Sequence, residues 1–247
     1  CITPSASGGQ PMQIYYMKKE KISIPVSTVI LMIVTITYKL VLVVIGIGIA
    51  IFGRGFLHKY LEGILPVFYL GLMLNIFCVT FMTILVFHPL FAKAILVKGM
   101  KLLERFHLIR KKEGRLKKLE ASMDTYRNTA AYLKNNPLVI VKVIGITFIQ
   151  RMALFAVTWF VYQAFGLHGT GFWDILFLQA VISVSVDMLP LPGGMGISET
   201  LFLTIFASVF GGLLLPGMVL SRGLGYYGEL LISAVFTVVA QLTIGKK

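Results

Sequence analysis

The sequence is poor in charged residues, and acidic residues are the scarcest of them. Asp and Glu together number 10 in 247 residues, and all charged residues make up 13% of the chain against 57% hydrophobic residues. Soluble globular domains carry about 25% charged residues, so the composition excludes an ordinary water-soluble fold. The net charge of +13 predicts no nucleic-acid partner, because about half of the 23 Lys and Arg residues lie in 98–134 and most others flank apolar runs.

Cysteines and catalytic motifs are also scarce. The two cysteines, Cys1 and Cys78, lie far apart, so neither a disulfide framework nor a zinc site is predicted. The sequence has no HExxH, GxSxG or P-loop motif, and its four histidines are scattered. We therefore predict no catalytic residue, no metal and no cofactor. Because the chain opens with Cys1 rather than Met and shows no signal peptide, we expect a fragment that lacks its N-terminal part.

Long apolar runs take the place of these features. A helix needs about 20 apolar residues to span the roughly 30 Å of bilayer hydrocarbon. The predicted fold class is therefore all-α, a polytopic helical membrane protein in which residues 1–247 form a single transmembrane domain. The six predicted hydrophobic segments are 25–52, 64–87, 138–165, 172–189, 198–215 and 218–244.

Proline and glycine interrupt the later segments. Pro216 and Gly217 are expected to separate the last two, because proline lacks an amide donor and glycine raises backbone entropy. The segments at 172–189 and 198–215 are short, so the stretch between them either reaches water or re-enters the membrane. Irregular backbone at that depth is tolerated only inside protein or around a cavity.

The segment 98–136 is strongly basic, with eleven Lys or Arg against four acidic residues. The positive-inside rule places it in the cytoplasm, and the positive residues within 54–62 are then the one cluster on the opposite side. Apolar residues from Leu102 to Met123 recur at helical spacing. We predict a cytoplasmic basic amphipathic loop whose cations bind anionic inner-leaflet lipids, unless its charges only fix topology.

Five ionisable residues fall within or at the ends of the predicted spans. They are Arg151, Asp187, Glu199, Arg222 and Glu229. Such groups are costly in hydrocarbon and normally face a partner or a wet cavity. On the last segment, Arg222, Tyr226 and Glu229 are spaced four and three apart, which predicts one polar helix face. Either these charges pair and only lock helix packing, or they form a polar path or headgroup site; Lys39 and Lys142 are expected to extend to the interface.

Two Gly-Gly motifs, at 3–11 and 190–199, would each interrupt a helix. Paired breaks in corresponding positions of a transporter often mark its substrate site, with helix N-termini directed at anionic groups. Ser198 is predicted to cap the helix that follows the second motif, where a lipid phosphate would compete with Glu199. The alternative is a plain interfacial turn.

The stretches ITPSASGGQP at 2–11 and LPLPGGMGISE at 189–199, together with Arg222 in the last segment, carry a resemblance. They resemble the lysylphosphatidylglycerol synthase transmembrane-region family, the flippase-like membrane portion of the multiple peptide resistance factor. The resemblance covers essentially the whole chain. It implies a helical bundle in a bacterial plasma membrane that binds or moves a phospholipid, in larger members flipping aminoacylated phosphatidylglycerol outward and so reducing attack by cationic antimicrobial peptides.

The family pattern and this chain differ in size. Larger members carry a soluble aminoacyl-transferase domain after the membrane part, whereas this chain ends at Lys247 without one, and by analogy about two more spans are expected before Cys1. A phospholipid flippase-like transporter of (aminoacylated) phosphatidylglycerol or a related lipid is therefore the leading hypothesis. The alternatives are a phosphatidylglycerol lysyltransferase and an accessory subunit of one. A homo-oligomer is compatible with all three.

The predicted substrate-binding site combines the helix breaks with the intramembrane charges. The glycines would shape broken helices, Arg151 and Arg222 would bind phosphate, and the carboxylates would neutralise those cations or meet an amino-bearing headgroup. The predicted residues are Ser5, Gly8, Gly9, Gln10, Arg151, Asp187, Pro192, Gly193, Gly194, Gly196, Glu199, Arg222, Tyr226 and Glu229.

Overall fold

The computed structural model describes residues 9–53, 55, 60, 63–105, 115–189 and 194–243. Within these ranges the regular structure is helical throughout, which confirms the all-α fold class. The α-helices are α1 Gly9–Lys19, α2 Ile24–Phe52, α3 Leu65–Phe87, α4 Pro89–Arg105, α5 Arg115–Asn135, α6 Pro137–Ala164, α7 Phe172–Val186, α8 Ile197–Ile205, α9 Ala207–Phe210, α10 Leu214–Arg222 and α11 Gly228–Thr243. A 3-10 turn, Gly211–Leu213, precedes α10, and a π-helical segment, Gly223–Tyr227, joins α10 to α11.

Four helical stretches are long and apolar enough to cross a membrane: α2, α3, α6 and the combined stretch Ala207–Thr243. The chain is therefore a multi-pass membrane protein, as the sequence predicted. The first three of these agree with the predicted segments to within one residue at each end. Each has a proline in its first turn, where the missing amide donor removes no helical hydrogen bond.

The predicted break between the last two segments is wrong. Pro216 lies in the first turn of α10, where a proline is tolerated, and Gly217 lies within the same helix. The interruption falls earlier, at Gly211, whose φ of +52° is a left-handed conformation that favours glycine. The fifth predicted segment is consequently divided among α8, α9 and the start of α10.

Two helices reach only about halfway through a bilayer. With 11 and 9 residues, α1 and α8 are about 16 and 14 Å long, roughly half of the hydrocarbon thickness. A short turn connects α1 to α2, and Gln10 Nε2 donates a hydrogen bond to Thr35 Oγ1 at 3.1 Å. The two helices therefore form an antiparallel hairpin in which the start of α1 lies beside the middle of α2.

The larger hydrophobic core surrounds α7. Side chains on every side of this helix are buried, among them Ile175, Leu178 and Val181. Helix α3 approaches α7 very closely, because a Cβ added at Gly71 would lie 2.5 Å from the Val184 carbonyl oxygen. Asn75, one turn further along α3, strengthens this contact by donating Nδ2 to the same oxygen at 3.2 Å.

A second core lies where α5 docks against α2 and α3. Met123, Tyr126, Ala130 and Leu133 recur at helical spacing and are all buried in this core. The Tyr126 hydroxyl donates to the Leu85 carbonyl oxygen at 3.0 Å, and burial raises the pKa of that hydroxyl. The apolar face of the basic segment that includes Met123 thus packs against other helices of the protein. Residues 106–114 of this segment lie outside the described residues.

Candidate functional site

A cluster of polar side chains lies at the middle of the bundle, centred on Asp187, which directly follows α7. One oxygen of its carboxylate forms an ion pair with the Lys39 ammonium. The other oxygen accepts a hydrogen bond from the Tyr38 hydroxyl at 2.7 Å. Lys39 is the sixteenth of 29 residues in α2, so this ion pair lies near mid-membrane depth.

Arg151 completes this group, which we call the central cluster: Tyr38, Lys39, Arg151 and Asp187. Arg151 is the fifteenth of 28 residues in α6, and its guanidinium carbon lies 4.0 Å from the centroid of the Tyr38 ring. That distance is within the range of a cation–π interaction. The Arg151 Nε atom is buried and has no hydrogen-bond partner in the described part of the chain.

The charges in the central cluster do not balance. Lys39 and Arg151 are cations, whereas the one carboxylate of the cluster, Asp187, pairs with Lys39 and forms no ion pair with Arg151 among the described residues. Glu229 forms no ion pair within the ranges that the structure describes. The charged side chains of the central cluster therefore sum to one net positive charge.

A second group, the turn cluster, consists of Gly196, Glu199, Arg222 and Tyr226. Both Nε and Nη2 of Arg222 donate to Glu199 Oε1, at 2.9 and 2.8 Å. The other carboxylate oxygen, Oε2, accepts from the Gly196 amide at 2.7 Å. The Arg222 guanidinium also lies 5.2 Å from the Tyr226 ring centroid. The turn cluster thus joins the start of α8 to the helix that runs from α10 through the π-helical segment.

A family model described as "Lysylphosphatidylglycerol synthase TM region" matches residues 1–233, a range that contains both clusters. The chain belongs to this family. The match confirms the family inferred from the two Gly-Gly motifs. Neither the curated proteins nor the solved structures include a match to the chain.

In this member of the lysylphosphatidylglycerol synthase family, the predicted site residues fall into separate groups. Arg151 and Asp187 belong to the central cluster, whereas Gly196, Glu199, Arg222 and Tyr226 form the turn cluster. Gly194, with φ of +67°, lies between the two in the chain and packs against Val186. Gly9 and Gln10 lie at the start of α1, beside Thr35. Ser5, Gly8, Pro192 and Gly193 lie outside the described residues.

The prediction that Ser198 caps α8 is wrong. The helix begins at Ile197, and its N-cap residue is Gly196, whose φ of +85° is left-handed. The Glu199 carboxylate reaches back to the Gly196 amide and occupies the position where a lipid phosphate was expected. Ser198 is instead buried, with its hydroxyl 3.4 Å from Glu199 Oε2.

Glu229 does not complete the polar face expected with Arg222 and Tyr226. The spacing argument assumed α-helical geometry, but the π-helical segment between Arg222 and Gly228 has a wider turn and changes the phase of the helix. Arg222 and Tyr226 remain in contact, whereas Glu229 is exposed. The phase of an amphipathic pattern cannot be carried across such a segment.

Lys39 is the site residue that the sequence prediction misjudged. It was expected to extend to the interface, but it is 7% exposed and paired with Asp187. Its position supplied a usable signal, because a residue about 22 Å from the start of a 29-residue helix is too deep for its ammonium to reach water. Tyr38 was missed entirely, and no sequence motif marks it. Lys142, near the start of α6, is exposed.

Proposed function

We propose that this protein is a phospholipid flippase-like transporter and that the central cluster binds the lipid headgroup during translocation. The observation that carries the proposal is Arg151, a cation at mid-span whose guanidinium contacts an aromatic ring and pairs with no carboxylate among the described residues. Charged groups at this depth are costly unless they meet a partner or a polar cavity. A phosphodiester supplies the missing negative charge and accepts hydrogen bonds from a guanidinium in the favoured geometry.

The interrupted helices support a pathway at the same depth. The start of α1 lies at Thr35, and the chain leaves α7 at Asp187, which pairs with Lys39. Thr35 and Lys39 are one turn apart on α2, so the two interruptions converge on the middle of one helix. Irregular backbone at membrane depth fits a cavity wall better than a lipid-facing surface. This arrangement supports the proposal that the Gly-Gly motifs shape a headgroup path.

The proposal includes a substrate range and an orientation. The lipid is phosphatidylglycerol, an aminoacylated derivative or a related phospholipid, and the membrane is a bacterial plasma membrane. The basic segment 98–136 lies in the cytoplasm, where its surplus of positive charge is attracted to anionic lipids of the inner leaflet. The exposed pair between Lys93 and Glu120, 3.1 Å apart, connects the two helices on either side of the most basic part of this segment.

The test is translocation of a fluorescent phosphatidylglycerol in vesicles that contain the purified protein. Arg151→Gln removes the charge but keeps a polar side chain, and it is expected to reduce the rate by about tenfold or more, because hydrogen bonds to charged groups contribute about 1.5–3 kcal/mol. Lys142→Gln is the matched control, since it removes an exposed cation from the same helix. Equal rates for wild type and Arg151→Gln would contradict the proposed role of Arg151.

Lipid aminoacylation is distinguished from transport by a second assay. The purified chain is incubated with lysyl-tRNA and phosphatidylglycerol, and lysylphosphatidylglycerol is measured by mass spectrometry. We expect no product, because the charged side chains of the central cluster lie near mid-membrane, beyond the reach of a tRNA acceptor end. Formation of product would replace the transporter proposal with a lysyltransferase.

A further inference from the structure

Helix α11 lies apart from the rest of the bundle. None of its residues is buried in the described part of the chain, and the π-helical segment is the one element there against which it packs over more than a few residues. Helix α10, in the first half of the same membrane-spanning stretch, packs against α6 and α8 instead. This stretch is therefore anchored to the bundle in its first half and separate from it in its second half.

The π-helical segment Gly223–Tyr227 lies at the boundary between these two halves. A π-helical turn is rare and is often found at functional positions. Gly223 and Gly225 lie within it, and a Cβ added at either position would meet no atom within 4 Å. Close packing therefore does not require glycine there. Because glycine weakens a helix relative to alanine, this segment is the most easily bent part of the stretch.

The far end of α11 contacts the bundle through one side-chain hydrogen bond within the described ranges. The Tyr16 hydroxyl on α1 donates to Oε1 of Gln241, a residue in the last turn of α11, at 2.9 Å. An open groove of about 540 Å³ lies between the two helices, a volume within the range of small-molecule sites. The groove is lined by Met12, Tyr15, Tyr16, Thr237, Val238 and Gln241.

The groove extends from the membrane surface towards the central cluster. The end of α1 lies on the side of the basic segment, because α2 follows it after a short turn and Val29 and Ile33, near the start of α2, pack with α5 in the second core. The start of α1 lies beside Thr35, one turn before Lys39 of the central cluster. The groove along α1 thus joins these two depths.

We infer that α11 is a gate that pivots at the π-helical segment and that the hydrogen bond between Tyr16 and Gln241 holds it closed. The inference rests on the proposed function and gives the route by which a phospholipid of the proposed cytoplasmic leaflet reaches the central cluster. Opening moves no buried side chain of α11 out of a core, so it breaks little besides this hydrogen bond. Apolar and hydrogen-bonding residues both line the groove, as the chains and headgroup of a phospholipid require.

The first test fixes the gate shut. In a chain whose two native cysteines are replaced by serine, Tyr16→Cys and Gln241→Cys are joined by a reducible bifunctional thiol reagent. We expect the cross-link to lower the translocation rate of fluorescent phosphatidylglycerol by about tenfold or more, because the lipid cannot enter, and a reductant to restore the rate. The same reagent on Lys93→Cys and Glu120→Cys, an exposed pair between α4 and α5, is the control and should leave the rate unchanged.

The second test stiffens the pivot. The double variant Gly223→Ala/Gly225→Ala adds two methyl groups that meet no neighbouring atom, and it favours a regular helix over a bent one. We expect it to slow translocation about fivefold. Gly145→Ala on α6, where the added Cβ also meets no atom within 4 Å, is the matched control and should keep the wild-type rate.

The third test measures the gate without measuring transport. Spin labels at Met12→Cys and Val238→Cys, both exposed, report the distance across the groove. Tyr16→Phe should raise the ratio of the wide to the narrow population about fivefold, as the loss of one neutral hydrogen bond predicts. Tyr132→Phe, at an exposed tyrosine on α5, should leave the distances unchanged.

The outcomes separate the gate from the transporter. A wild-type rate in the cross-linked protein, or the same distances in wild type and Tyr16→Phe, would overturn the gate and leave the transporter proposal standing. A wild-type rate in Gly223→Ala/Gly225→Ala would contradict the pivot at the π-helical segment. Failure of the wild type to translocate any lipid would overturn the proposed function, and the spin-label distances would then show separately whether α11 moves.

Discussion

The Lys39 ammonium and the Asp187 carboxylate form an ion pair that joins the middle of α2 to the end of α7. Their side chains are 9% and 13% exposed, so the pair lies in a largely desolvated position. Each charge depends on the other, because an isolated ion at this depth would be costly to keep. The pair therefore holds the residue that directly follows α7 against the middle of α2.

We predict that removing one partner of this pair is far more damaging than removing both. Lys39→Met should lower the free energy of unfolding by about 3–5 kcal/mol, because it removes the ammonium group that pairs directly with a buried carboxylate. The double variant Lys39→Met/Asp187→Leu should recover most of that loss. Unfolding of the purified proteins in detergent measures both effects.

The exposed pair between Lys93 and Glu120 supplies the comparison for this prediction. Lys93→Met should cost less than about 1 kcal/mol, since solvent screens an exposed ion pair. A double variant no more stable than Lys39→Met alone would show that the pair is not the source of the effect.

A second prediction concerns the close approach of α3 and α7. Gly71→Ala should lower stability by about 1–3 kcal/mol, because its Cβ would lie 2.5 Å from the Val184 carbonyl oxygen and 2.6 Å from the Ser185 Cα. Both are backbone atoms, so a side-chain rotation cannot relieve the clash. Gly145→Ala on α6, where no atom lies within 4 Å of the added Cβ, is the matched control. A similar loss in both variants would count against close helix packing at Gly71.

A third prediction concerns the pair between Glu199 and Arg222. A double-mutant cycle with Glu199→Gln and Arg222→Gln should give a coupling energy of about 1 kcal/mol or more, because Glu199 accepts two hydrogen bonds from one guanidinium. The same cycle at Lys93 and Glu120 should give a value near zero. Additive effects of the two glutamine substitutions would mean that the contact does not hold α8 to α10.

A fourth prediction concerns orientation. In a protein with Cys1→Ser and Cys78→Ser, a cysteine introduced at Glu120 should react with an impermeant maleimide only after the membrane is opened, because the basic segment is proposed to be cytoplasmic. A cysteine at His168, in the exposed turn after α6, should react in intact cells. These positions lie beyond opposite ends of α6, a helix long enough to span the bilayer. The reverse labelling pattern would invert the proposed topology.

The long apolar segments were predictable because local composition decides them. Segments 25–52, 64–87 and 138–165 match α2, α3 and α6 because each is a long apolar run that a proline opens. A bilayer requires every backbone amide and carbonyl to be paired within the helix, so composition and length are nearly sufficient. Where glycine and proline divide the chain into short pieces, at 198–217, the same reasoning misplaced the break.

The residue types of the candidate site were also predictable, because an ionisable residue within an apolar run stands out in a sequence. Arg151, Asp187, Glu199 and Arg222 were found in this way, and all four make specific contacts across helices or, for Arg151, with the ring of Tyr38. Their partners were not predictable. Asp187 pairs with a lysine 148 residues away in the chain, and nothing in the local pattern of either segment encodes that distance.

By itself, the sequence determined that this protein is a bundle of membrane-spanning helices with costly charges inside and a basic segment between spans. The tertiary structure alone decided which charged residues form ion pairs and which do not, since that depends on how α2, α6, α7 and α10 face one another. Coulomb attraction falls with distance and depends on burial, and only packing sets those two quantities. For this reason it is the fold that leaves Arg151 and Glu229 without an ion pair among the described residues.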